Sequence, residues 1–444
     1  MVSHRIIMTV FAPAALALAF AACAAEAQSP RAAEDHHKRG LALVQQGELD
    51  RAIAEFDKAL ELNPRLADAW CNRGIAYNSK GDLDHAMADL SQAIALDPRH
   101  SIAHYTRGVI FKSRGESDRA MADFNRAIEI NRRFGEAYTN RGKIRYDRGD
   151  MDGALADYDK AIKYGAESSA RISSGSYLVS ASHPVLAMAY NNRGVVYRDK
   201  GDMKRALADF SRAIEADPRL ARAYSNRSTV LLHGGDARGA VADLDRALML
   251  DPQLSEAWNN RGLIRLGAGD TDAALADFDR AIEIDPRSFE ARLNRGSVLH
   301  DKGRFEEAIA DYGQAIGLAP RDKRARFNRG NSRFSKGDYS GAAADFTLAI
   351  ELDPRHAISY VNRGNARRAS GDLAGAMNDY NQALIIDPRC ALAFLNRGIG
   401  YLQEGREAEA QRDFNQCLKI DPTLRSELEA VVEEARRRLR GAGG

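Results

Sequence analysis

One dipeptide, Arg-Gly, returns along this chain at a spacing that leaves few folds open. It begins at Arg39, Arg73, Arg107 and Arg141, then at Arg193, Arg227 (followed there by Ser228), Arg261, Arg295, Arg329, Arg363 and Arg397. Every step is 34 residues except that from Arg141 to Arg193, which is 52 and so carries 18 extra. A period of this length marks a repeat architecture. Each copy is one supersecondary unit that cannot bury its apolar face alone and must stack on its neighbours.

Each copy reads as a helical hairpin. In the second, one helix is predicted over 67–79, Gly81-Asp82 breaks it, and another runs over 84–96 to a stop at Asp97-Pro98. A glycine stands at the turn in all eleven copies, from Gly47 and Gly81 to Gly405, where a helix C-terminus closes through the left-handed conformation. Twelve residues after each first-helix glycine (Ser228 in the sixth copy) comes an alanine, from Ala52 to Ala410. Two small residues facing each other let antiparallel helices approach closely.

These residues resemble the tetratricopeptide repeat. Trp70, Gly74, Tyr77, Ala86, Leu90, Ala93 and Pro98 carry the match in the second copy, and it covers about Ala33 to Leu424. The resemblance implies an all-α fold: a tetratricopeptide-type α-solenoid, a right-handed superhelix of antiparallel helix pairs with a concave groove. One departure is systematic, because arginine stands where the family usually has leucine just before the first-helix glycine. The chain supplies a matching carboxylate on each second helix: Glu55, then Asp89, Asp123, Asp157, Asp209, Asp243, Asp277, Asp311, Asp345, Asp379 and Asp413. An unpaired charge in a helix interface is expensive. The arginines therefore pair with these carboxylates, within a repeat or between neighbours, or else they face the groove and bind anions.

The expected organisation is a secretory signal peptide at 1–27, repeats one to four at 33–168, a serine-rich insertion loop at 169–186, repeats five to eleven at 187–424, and a capping helix at 425–440. His4 and Arg5 precede an apolar run that ends near Ala25-Glu26-Ala27, which points to cleavage after Ala27 and to a periplasmic or secreted protein. A lipid anchor at Cys23 is not expected, since Phe20 stands where an aliphatic residue would precede it, and no later segment reads as a membrane span. The mature chain keeps Cys71, Cys390 and Cys417. The last two are either a disulfide across one hairpin or two buried small residues. Leu428, Val431, Val432, Ala435 and Leu439 give the terminal helix one apolar face.

With 64 basic and 62 acidic residues, the chain lacks the charge excess of a nucleic-acid binder. No P-loop, G-x-S-x-G or H-E-x-x-H occurs. His100 and His104 lie at i, i+4 without further ligands, so neither a metal nor a cofactor is expected. Acid and base groups recur with the repeat, whereas catalytic groups should be singular, so the chain reads as no enzyme.

The candidate binding residues come from a second ladder. Asparagine precedes the arginine in nine copies: Asn72, Asn140, Asn192, Asn226, Asn260, Asn294, Asn328, Asn362 and Asn396. A carboxamide offers both a donor and an acceptor, which matches a peptide group. A row of them spaced by a repeat rise of about 10 Å can hold an extended chain without reading its sequence. The row is similar to the asparagine ladder in the repeat domain of eukaryotic O-linked N-acetylglucosamine transferases, although nothing here resembles their catalytic part. The other reading is that these amides bond helix backbone or neighbouring repeats. Specificity is expected from Phe327, Asn331, Phe334, Asn365 and Arg368, which share the groove-side positions. Asn331 and Asn362 partly resemble the carboxylate clamp of chaperone-binding tetratricopeptide domains, whose basic residues are not matched at Leu392 and Asn396. The expected function is a non-catalytic scaffold that binds peptide segments of partner proteins. The alternative is a structural tether or subunit of a cell-envelope assembly.

Overall fold

The computed structural model describes residues 31–168, 183–426, 428–430 and 432–433. The expected signal peptide, most of the insertion and the end of the capping helix lie outside the described residues. Among the described residues the regular elements are helices, paired as hairpins in the order the period predicts. In the second repeat they are Ala67–Ser79 and Leu83–Leu96. The stack divides into two compact units, residues 1–243 and 244–444.

The hairpin geometry follows from a few small residues. All eleven turn glycines adopt φ between 74° and 92°, and no other residue type among those described has positive φ. The amide of Asp82 then bonds the Tyr77 carbonyl and that of Gly81 bonds Asn78, which satisfies carbonyls the helix end would leave orphaned. The next residue starts the second helix: the Asp82 side chain accepts from His85 N, and Asp270 does the same for Ala273 N. The eleven alanines are fully buried. Opposite them, a Cβ added at Gly262 would come within 2.7 Å of the Phe278 ring, so glycine there is what admits the aromatic side chain.

The insertion leaves the stack intact. Without Asp-Pro at its usual end, the fourth repeat's second helix continues to Ser168. The fifth repeat's first helix starts at His183, four residues inside the stretch expected as loop, with Pro184 in its first turn. Arg193 still bonds Asp159 and Lys200 still bonds Asp152 across the 18 added residues.

The three cysteines stand as buried thiols, which answers the open question in favour of two small buried residues rather than a disulfide. Cys390 packs with Val361 and Ala393, and Cys417 with Leu395 and Phe414. Leu428 and Val432, in the described part of the terminal helix, bury against that same Leu395 and Phe414 cluster and so cover the last repeat. No described helix is long and apolar enough to cross a membrane.

Candidate functional site

From the second repeat on, the recurring arginine binds in two directions, Arg329 excepted. Within its own repeat it forms a two-bonded pair with the carboxylate on the second helix. Arg261 donates Nε to Asp277 Oδ2 at 3.0 Å and Nη2 to Oδ1 at 2.7 Å. Arg73–Asp89, Arg193–Asp209 and Arg397–Asp413 repeat the geometry. Its remaining arm, Nη1, reaches the second helix of the preceding repeat: Asp245 from Arg261 at 2.7 Å, Asn125 from Arg141 at 2.8 Å, Thr347 from Arg363 at 3.2 Å. The pairing is thus both within and between repeats. Gly313 stands at the receiving site for Arg329, so that interface lacks a side-chain acceptor there.

These guanidinium groups are committed to the fold. The Arg261 side chain is 13% exposed and Asp277 2%, and the guanidinium carbon lies 4.7 Å from the Trp258 ring centroid. The hydrogen bond with Asp277 raises the Arg261 pKa against the opposing effect of burial, with Asp245 adding to it. From Arg73 onward the arginine ladder therefore supports the stacking of repeats, and its guanidinium groups offer little surface to foreign anions.

The asparagines behave differently from one another. Asn72 is fully buried, with Nδ2 on His37 Nε2 at 2.9 Å, and its Oδ1 has no partner among the described residues. The expected binding asparagines are half-buried. In residues 1–243, Asn226 Nδ2 donates to Asn191 Oδ1 at 2.9 Å, and Asn191 Nδ2 donates to Asn192 Oδ1 at 3.2 Å. In residues 244–444 the motif returns: Asn294 Nδ2 to Asn259 Oδ1 at 2.9 Å, and Asn259 Nδ2 to Asn260 Oδ1 at 3.4 Å. Asn362 donates to Asn331 Oδ1 at 2.9 Å, Asn328 partners the Tyr312 hydroxyl, and Asn396 turns back to its own helix at Leu392 O. Four of these bonds, from Asn72, Asn226, Asn294 and Asn362, run from one first helix to the next through side chains, so those four amides are held through Nδ2 alone. Neither Asn260 Nδ2 nor Asn294 Oδ1 hydrogen-bonds another described residue.

The remaining candidates fall into two groups. Asn365 and Arg368 meet at Tyr380, whose hydroxyl donates to Asn365 Oδ1 at 2.9 Å while Arg368 Nε donates to the hydroxyl at 3.3 Å. Phe327 instead packs on Phe346 and His356, at ring separations of 5.8 and 5.3 Å, and Phe334 on Tyr339 at 5.3 Å. His100 and His104 turn to separate partners, Asp68 and Asp123. Sequence reasoning missed Asn191, Asn259 and Tyr380. The doubled Asn-Asn at 191–192 and 259–260 was a signal for the first two, while Tyr380 hides among ordinary core aromatics.

Family models agree with this architecture. Models described as TPR repeat match residues 40–79 and 364–405, and those described as tetratricopeptide repeat match 67–100, 105–172, 187–220, 225–289, 259–322, 293–357 and 391–424. The chain belongs to the tetratricopeptide repeat family, whose members serve as scaffolds for protein–protein interaction. Similar solved structures include YrrB, described as a TPR protein with an unusual peptide-binding site: 26% identity, TM-score 0.38, covering 41% of this chain and 95% of that one. Yeast Tom70 matches at 20% identity and TM-score 0.39, covering 92% of this chain and 96% of that one. A chain of the APC/C hetero-tetramer Cut9–Hcn1 matches at 15% identity and TM-score 0.46, with the same 92% and 96% coverage. A search of curated proteins returned no match.

Proposed function

We propose that the protein is an exported, periplasmic, non-catalytic scaffold that holds extended peptide segments of partner proteins along the face lined by its first helices. The observation that carries this reading is the pair of asparagine networks, Asn191–Asn192–Asn226 and Asn259–Asn260–Asn294. In each, inter-repeat bonds fix the orientation of a half-buried carboxamide and leave part of its bonding capacity unused. An amide so held can meet a peptide backbone without first losing side-chain freedom.

The test is capture of peptides from a random library on the mature chain, followed by Asn260→Ala with Asn294→Ala. Captured peptides should bind at least about tenfold more weakly to the double variant, roughly 1.4 kcal/mol, with the melting transition retained. Undiminished affinity in a folded double variant would reject the reading, and a tether acting through its ends would capture no peptide at all. Export is tested separately by the mass of the protein recovered from an envelope fraction, which should begin after Ala27.

A further inference from the structure

The third and fourth repeats place a lysine where no carboxylate answers it. Lys112 lies four residues after Gly108 on the helix Ser101–Ser113 and is half-buried. Its Nζ donates to Asn140 Oδ1 at 2.8 Å, a neutral acceptor on the next repeat's first helix. The Asn140 amide cannot turn away, because its Nδ2 donates to the Tyr105 hydroxyl and to the Glu136 carbonyl, both at 3.2 Å. Among the described residues Lys112 forms no ion pair. The equivalent cation in the fifth repeat, Arg198, is neutralised by adjacent Asp199, whereas the residue beside Lys112 is Ser113. An ammonium has three donors, and Asn140 takes one.

The surrounding charges narrow what would complete this site. Lys143, one turn beyond Asn140, pairs with Asp147 and lies 5.3 Å from the Tyr146 ring centroid. Burial, then the neighbouring charge of Lys143, lowers the pKa of Lys112, while Asp147 opposes the shift. Burial raises the pKa of Glu136, whose charge is felt at Tyr105. Lys112 and the two charged side chains that act on it, Lys143 and Asp147, sum to a single positive charge. That balance suits one carboxylate and disfavours a doubly charged phosphate, which Asp147 would repel.

We infer that Lys112, with Asn140 held beneath it and Lys143 beside it, is a subsite for an acidic side chain, aspartate or glutamate, of the extended peptide. This deepens the groove-binding reading and rests on it. The carboxylate would accept from the ammonium donors that Asn140 leaves unused, and the exchange of water for a charged partner at a half-buried cation is worth more than at an exposed one.

The probes are two capped peptides, acetyl-Ala-Glu-Ala-Glu-Ala-amide and its glutamine counterpart, titrated onto the mature chain with fluorescence anisotropy as readout. The glutamate peptide should bind at least about fivefold more tightly, Lys112→Met should remove that preference, and Lys112→Arg should keep most of it. The exposed Lys160→Met variant is the control and should leave the preference unchanged. Equal binding of the two peptides overturns the subsite while leaving groove binding intact. Failure of both to bind also overturns it, and the groove is then judged by the library-captured peptides alone. If Lys112→Met does not fold, loss of the glutamate preference on adding Asn140→Leu decides the matter, and its persistence rejects the inference.

Discussion

The first and second repeats carry the same arginine in different surroundings. Arg39 is 55% exposed and bonds Glu55, which also receives Lys58 and His36. Arg73 is 16% exposed, faces Asp89 at 6%, and reaches back to Asp57 on the repeat before it. The chemistry of the pair is nearly the same, so the difference lies in the neighbour. Stacking a preceding hairpin against the arginine removes water from the pair and gives its third arm an acceptor. A charge pair that is marginal at the first repeat becomes, one step along, a contact that cannot be halved without leaving a buried charge.

The largest effect is expected where no second cation can rescue the carboxylate. Arg73→Leu leaves Asp89 buried and unpaired and should cost about 3 kcal/mol, read as faster amide exchange through Ala67–Ser79 and Leu83–Leu96. An unchanged exchange pattern would break the comparison. Arg261→Leu should be milder, about 1–2 kcal/mol, because Arg265 Nη1 remains 2.9 Å from Asp277 Oδ2. Should it equal Arg73→Leu, the second arginine contributes nothing. Arg39→Leu should shift stability by less than about 0.5 kcal/mol.

The first repeat also has its own acid response. Hydrogen bonds from Lys58, then Arg39 and His36, lower the Glu55 pKa to about 2 from an ordinary 4.5. A depressed carboxyl stabilises the fold fully above its unfolded value and loses that contribution as pH falls through its folded value. Exchange in Leu49–Leu62, corrected for its intrinsic pH dependence, should therefore accelerate between pH ~4.5 and ~2, modestly since the partner Arg39 is exposed. A flat profile there would show that the first pair is idle.

Much of this was readable from the period. The hairpins, turn glycines, facing alanines and arginine–carboxylate partnership recur in every copy, so repetition itself separates them from chance. The arginine's backward arm was not readable. Its receiving position is Asp57, Ser91, Asn125, Asp159, Ser211, Asp245, Asp279, Gly313, Thr347 or Asn381 in successive copies, a site that asks only for an oxygen and so leaves no fixed letter. The asparagine networks were half legible. The row at the fixed position stood out, but the bonds depend on Asn191 and Asn259, whose register position holds asparagine in only those two copies, and on Asn331. Lys112 gave no signal because its meaning lies in which neighbours are missing.

Arg193 grips Asp159 as its counterparts grip theirs, although 18 residues have been spliced between the two hairpins. A coupling that reads only its immediate neighbours is indifferent to how many copies precede or follow it. Genes coding for such chains can gain or lose whole copies through unequal recombination, and each new junction finds its fastener already in place.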